Sequence, residues 1–148
     1  MAKDASQAAV DAWIALMRAQ QRTLLTIERA LRAAQLPSLA CYDALWELDR
    51  AGADGLRPFE IERQMLLAQS NISRLLDRLE DQGYVERQSC EADGRGQRIT
   101  ITPSGRDMRR RMWPIYARAI RESIGLRLSP REATSLVALL RKLVDAPS

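Results

Sequence analysis

Asn71, Arg74 and Arg78 recur at i, i+3 and i+7, a spacing that sets all three on one side of a helix. A guanidinium grips a phosphate or a guanine edge at two points, and a carboxamide does the same to adenine. Ser70 and Ser73 stand beside them near the helix start, where free backbone amides favour an anion. Ser70 has a second reading as the N-cap that satisfies those amides, and the two roles are compatible. Asp77 and Asp81 interrupt the positive side. They repel phosphate unless Arg74 or Arg78 pairs with them, and they form a like-charge i, i+4 couple. Taken alone, such a side is also what an ordinary solvated helix presents.

A second polar group lies at Asp93-Gly94-Arg95-Gly96. The glycines permit a tight turn with positive φ. Arg95 then stands at the tip between residues of little bulk, suited to a narrow minor groove, with Asp93 near enough to orient it. The plainer reading is a hairpin turn with a solvated arginine.

The elements that position these groups are legible in the apolar pattern. Ile72, Leu75, Leu76 and Leu79 fall at i, i+3, i+4 and i+7, one stripe opposite the polar side. Gly83 sits where a left-handed residue ends a helix. Tyr84–Arg87 and Gln97–Thr102 then read as strands, with Ile99 and Ile101 on the inner face. Helix, helix, strand, turn, strand is the order of a winged helix-turn-helix, which places one helix in a DNA major groove and a basic loop at the backbone or minor groove.

At this point the chain resembles the MarR family of transcriptional regulators. NISRLLDRLEDQGYVERQ resembles the family's recognition helix and first wing strand, Asp93-x-Arg95 its wing tip, and ITPSGRDM the passage into the next helix. The start of the helix, LLAQS, departs from the small-residue pattern often found there, and the wing is short. The resemblance implies a homodimer on a pseudo-palindromic operator in double-stranded DNA, usually a repressor released by a small ligand or by oxidation. It gives Arg95 the minor-groove role with Asp93 as its orienting partner. Ser70, Asn71, Ser73, Arg74 and Arg78 would then face the major groove or its phosphates.

The rest reads as helical, giving a mostly α chain with a small β-wing. Val10, Trp13, Ile14, Met17, Leu24, Leu25, Ile27 and Leu31 space a helix over about 5–35, ended by Pro37. Ser38–Ala51 forms the next, with Tyr42, Leu45, Trp46 and Leu48 as buried candidates and Gly52 as its stop. Leu56-Arg57 suits a short strand against the wing, and Pro58 suits a first helical turn. A helix from Thr102-Pro103 to about Leu126 carries Pro114, which should kink it. Ser129-Pro130-Arg131-Glu132 is a capping box that opens the last helix.

With 148 residues, one MarR-like domain over 1–148 is expected. Its N- and C-terminal helices, about 5–35 and 103–146, serve dimerisation, and about 38–102 form the DNA-binding lobe. Trp13, Ile14 and Met17, with Leu136, Val137, Leu139, Leu140, Leu143 and Val144, are more apolar surface than one small lobe needs, so a two-fold partner is predicted.

Trp13, Tyr42, Trp46, Trp113 and Tyr116 come from helices that meet, in the family, where inducers often bind. A small aromatic acid would suit such a lining, with Arg109 or Arg110 as its charge partner. Plain core is the simpler reading of any one of these aromatics. Cys41 and Cys90 offer an alternative, a cysteine-based redox-sensing regulator, with Arg87 and Arg95 near Cys90 able to favour a thiolate and Glu91 opposing. Silent thiols are the simpler reading.

The composition narrows the remaining classes. Lys plus Arg number 23 against 19 Asp plus Glu, a net +4, with Lys3 and Lys142 the only lysines. Arginine is the better residue for phosphate and guanine. Zero histidines remove the commonest general base and metal ligand. No nucleophile elbow or phosphate-binding glycine loop is present, so an enzyme, a cofactor and a metal site are not expected. No apolar run suggests a membrane span or a secretory leader, so a cytoplasmic chain is expected. A winged helix used only as a protein–protein interaction module stays open as the rival, though it has no need of exposed Asn71, Arg74, Arg78 and Arg95.

Overall fold

In a computed structural model, residues 4–89 and 97–145 are described. Six helices lie in chain order: α1 Gln7–Ala33, α2 Leu39–Ala51, α3 Pro58–Gln64, α4 Ile72–Asp81, α5 Pro103–Ile120 and α6 Pro130–Val144. Two strands, β1 Val85–Ser89 and β2 Gln97–Ile101, stand between α4 and α5. The chain divides into two compact units.

The unit of residues 31–115 holds the core. Leu45 and Leu48 of α2, Ile61 of α3, Leu75, Leu76 and Leu79 of α4, and Val85 and Ile99 of the strands are buried together. Each large side chain so placed contributes roughly 1.5–3 kcal/mol of transfer free energy. The stripe over Ile72–Leu79 therefore packs inward as its spacing dictates, with Ile72 half-buried.

Local chemistry sets the helix ends. α1 stops before Pro37, because Gln35 turns left-handed at φ 57°. The Leu36 N–H donates to the Leu31 carbonyl at 2.9 Å and the Gln35 N–H to that of Arg32 at 3.0 Å, a Schellman closure without glycine. Ser38 caps α2, its hydroxyl accepting the Cys41 N–H at 3.4 Å. Glu60 accepts the Arg57 N–H at 3.0 Å and fixes the start of α3. The same closure recurs after α4, where Gly83 has φ 79° and Tyr84 N–H reaches the Leu79 carbonyl at 2.9 Å.

The strands pair antiparallel, Val85 with Ile101 and Arg87 with Ile99. Leu56 adds a bridge to Ile99, its N–H donating at 2.9 Å and its carbonyl accepting at 2.8 Å. Gly55 makes this approach possible: a Cβ there would stand 2.4 Å from the Ile99 carbonyl oxygen. The close passage also covers Thr100, which alternation had assigned to solvent and which is buried. Thr102 closes the unit, donating its hydroxyl to the Gly83 carbonyl at 2.6 Å and accepting the Gly105 N–H at 3.0 Å.

The other unit comprises residues 1–30 and 116–148. Its part of α1 exposes Val10, Trp13, Ile14 and Leu25, and α6 exposes Leu136, Val137, Leu139, Leu143 and Val144. α6 has no buried residue. Its start is the capping box read in the sequence: Ser129 Oγ accepts the Glu132 N–H at 3.1 Å, and Glu132 accepts the Ser129 N–H at 3.0 Å. These bonds hold the Glu132 carboxyl below its ordinary pKa. Pro114 lies inside α5, and the helix ends in a π-helical turn at Arg121–Gly125 that no sequence signal announced.

Candidate nucleic-acid interface

α4 is strongly amphipathic. With Leu75, Leu76 and Leu79 inward, Ser73, Arg74, Asp77 and Arg78 are exposed. Arg74 and Arg78 form no ion pair among the described residues. One reading needs correcting here, and one condition is resolved. The N-cap is Asn71, not Ser70: Asn71 Oδ1 accepts the Arg74 N–H at 3.0 Å. Its carboxamide is thus committed to the helix end, and Ser70 lies exposed one residue before it. Nor does Asp77 pair with Arg74 or Arg78. It binds the Arg87 guanidinium of β1, which also lies 3.3 Å from Glu80 Oε1 and donates to Gln97 Oε1 at 3.3 Å. Arg87 therefore ties the outer side of α4 to both strands of the wing.

Sequence reasoning passed over Arg87, although a signal existed. Strict alternation puts it on the same face as Val85, and its cross-strand partner is Ile99. A charged residue at an inward position needs a partner. Asp93, Arg95 and Cys90 lie outside the described residues.

A second missed group is acidic. Asp43 and Glu47, one turn apart on α2, are both buried. Asp43 Oδ2 accepts the Leu67 N–H at 2.8 Å, in the turn between α3 and α4. Burial pushes the Glu47 carboxyl up, Arg50 at 3.6 Å pulls it back, and Asp43 pushes it up again.

Of the aromatic set, the unit of residues 31–115 brings three members into two contacts, one of them with Arg109. Tyr42 stacks on Trp113 with ring centroids 6.2 Å apart. The Arg109 guanidinium lies 5.2 Å from the Trp46 ring centroid, a cation–π distance. Trp46 is 41% exposed rather than buried as its helical spacing suggested. Asp49 occupies Arg109, accepting from its Nε at 2.7 Å and from Arg106 Nε at 3.3 Å. Arg110 pairs instead with Asp107 at 3.6 Å, out on the surface. Trp13 and Tyr116 belong to the other unit, where Trp13 is exposed. Cys41 is buried, and the Ser38 hydroxyl donates to its Sγ at 3.4 Å.

Two helices joined by a short turn and followed on the same core by a two-stranded wing define a winged helix-turn-helix protein. The MarR family model matches residues 36–96, the stretch from just before α2 to the residue before β2. Sco3205 of Streptomyces coelicolor, a MarR family transcriptional regulator solved in complex with DNA, is similar in fold with a TM-score of 0.86. It is 25% identical, over 100% of this chain and 94% of that one. Residues 36–96 are thus similar to the MarR family, and the DNA-bound Sco3205 structure is that of a MarR family transcriptional regulator. BpsR of Bordetella bronchiseptica, whose DNA binding is regulated by 6-hydroxynicotinic acid, has a TM-score of 0.77 and 25% identity over 89% of this chain and 91% of its own. YkoM, an HTH-type transcriptional regulator of Bacillus subtilis, is 30% identical over 83 residues, 56% of this chain and 53% of YkoM. The chain thus spans about half the length of the curated relative it matches there. No helix among the described residues is long and apolar enough to cross a membrane.

Proposed function

We propose that this chain is a sequence-specific regulator that binds double-stranded DNA as a homodimer, represses transcription from a pseudo-palindromic operator, and is released by a small aromatic ligand. The observation that carries the reading is the outer side of α4. Ser73, Arg74 and Arg78 are exposed there, opposite a fully buried leucine stripe, while Arg87 partly offsets the charge of Asp77 and Glu80 beside them. That local offset of negative charge favours a phosphate-facing side over a solvated one. Ser70 and Asn71 contribute the helix start, Asn71 through its cap rather than as a free base reader, and Arg95 with Asp93 supplies the wing tip. That Sco3205, similar in fold, was solved in complex with DNA supports the DNA-binding part of this reading. The test is fluorescence anisotropy on the source organism's pooled intergenic DNA. Tight binding that weakens steeply with salt supports the reading, and a folded chain without affinity at low salt contradicts it.

For the ligand, the supporting geometry is the Tyr42–Trp113 stack with Trp46, Arg109 and Asp49. The regulation of BpsR by an aromatic acid points the same way. A carboxylate reaching Arg109 must compete with Asp49, so an acid would exchange one anionic partner for another and leave the Trp46 and Trp113 rings to set affinity. To lower DNA affinity, the ligand must bind the DNA-incompetent conformer more tightly. Titration of tryptophan fluorescence with a panel of phenolic and heteroaromatic acids tests this; silence across the panel contradicts it.

A further inference from the structure

We propose that Asp43, on α2, is the positioning residue of the DNA-reading helix α4. The inference rests on the DNA reading above and extends it to a residue that never faces the duplex. Residues 66–70, between α3 and α4, form no regular structure. One end of this turn is anchored by Met65, which is buried. Leu66 is 82% exposed, so apolar packing does not hold the next step. At Leu67 the backbone N–H donates to Asp43 Oδ2 at 2.8 Å, across 24 residues of sequence. Four residues further on, Asn71 caps α4. Asp43 is thus a tie between the rigid core helix and the chain that sets where α4 begins and how its arginines are aimed.

Asp43 is only 4% exposed. A buried carboxylate accepting an N–H makes a stronger bond than a neutral pair, and losing it strands the N–H. Glu47 one turn away adds like charge, so the arrangement sacrifices core comfort. Stability alone gives no reason to place two acids there. A turn that must hold one conformation for binding does, because freedom left in the turn would be lost again on every docking event.

The experiment compares Asp43→Ala and Asp43→Asn with Leu48→Ala, a core truncation on the same helix that leaves the Asp43–Leu67 hydrogen bond in place. Amide hydrogen exchange is followed at Leu67 and through the first turn of α4. Affinity is measured below each variant's melting temperature on a duplex enriched by the wild-type chain from a random-sequence pool. Asp43→Ala should speed Leu67 exchange and weaken binding, each about tenfold. Asp43→Asn, which keeps an acceptor, should recover part of both, while Leu48→Ala should lower the melting temperature yet bind normally when folded. Unchanged exchange at Leu67 in Asp43→Ala overturns the proposal. So does wild-type affinity in that variant, or a binding loss in Leu48→Ala that matches it. Should Asp43→Ala not fold, Asp43→Asn against wild type decides by the same two readouts. Failure of the DNA reading shows separately, as a wild-type chain that enriches no duplex.

Discussion

The Arg87 guanidinium on β1 lies 3.3 Å from Glu80 on the last full turn of α4, while also holding Asp77 one turn earlier. One cation therefore lies against two carboxylates on the side of α4 that carries Arg74 and Arg78, the side proposed to meet DNA. Ion pairs with partners this exposed contribute little stability, about 0–1 kcal/mol each. Their consequence is electrostatic and local. Arg87→Ala should leave the melting temperature nearly unchanged and weaken DNA binding about 3- to 10-fold at low salt, with the deficit shrinking as salt screens the freed carboxylates. Restoring affinity by adding Asp77→Asn and Glu80→Gln would confirm the cause. Anisotropy on the triple variant reads the outcome.

Gly55 and Gly52 separate conformational strain from steric conflict. Both have positive φ, 65° and 64°, but a Cβ meets nothing within 4 Å at Gly52 and meets the Ile99 carbonyl oxygen at Gly55. Gly52→Ala should cost roughly 1–3 kcal/mol, because φ 64° with ψ −143° is a backbone conformation essentially reserved for glycine. Gly55→Ala should cost more, because it also pushes apart the Leu56–Ile99 bridge. Urea unfolding of the two variants measures the gap; equal costs would contradict the close approach.

Glu47 predicts a pH dependence. Its carboxyl is raised above 4.5 chiefly by burial, with Asp43 adding to the rise and Arg50 opposing it. The folded chain therefore binds a proton more tightly than the unfolded chain. Stability from this group is complete below the unfolded value and falls as pH rises through the folded one. Glu47→Gln should raise the melting temperature at neutral pH, and the advantage should fade toward pH 4.5. A variant less stable than wild type at neutral pH would show that the Arg50 contact outweighs burial.

Much of this was legible in the residues themselves. The apolar spacing of Ile72–Leu79, the left-handed Gly83, the Leu56 pairing and the Ser129–Glu132 box all appear as read. Each is decided within a few residues of chain, where periodicity or cap chemistry acts alone. Ser70 and Asn71 are both good caps, so pattern could not choose between them. Arg87, Asp43 and Thr100 depend on what folds against them from 10, 24 and 45 residues away, and Trp46 on which side of α2 the core leaves open. No periodicity in the sequence carries that information.

The apolar faces of α1 and α6 predict the oligomer. Trp13, Ile14, Leu139 and Leu143 are exposed, and a second copy is the proposed cover, setting two copies of α4 about 34 Å apart. Sedimentation should give twice the 16.7 kDa chain mass. Leu139→Glu with Leu143→Glu should yield a monomer whose DNA affinity drops sharply. A monomeric wild type at micromolar concentration would contradict this.

The central claim is that α4 and the wing tip form one DNA-reading surface. The most direct measurement is anisotropy of the native chain beside Arg74→Ala/Arg95→Ala, on the same intergenic duplex pool across a salt series. The account predicts a steep native salt slope, about −0.9 per phosphate neutralised. In the double variant it predicts a shallower slope and a loss of roughly 1–3 kcal/mol for each arginine that reads a base. Equal affinity and slope in a folded double variant would contradict it.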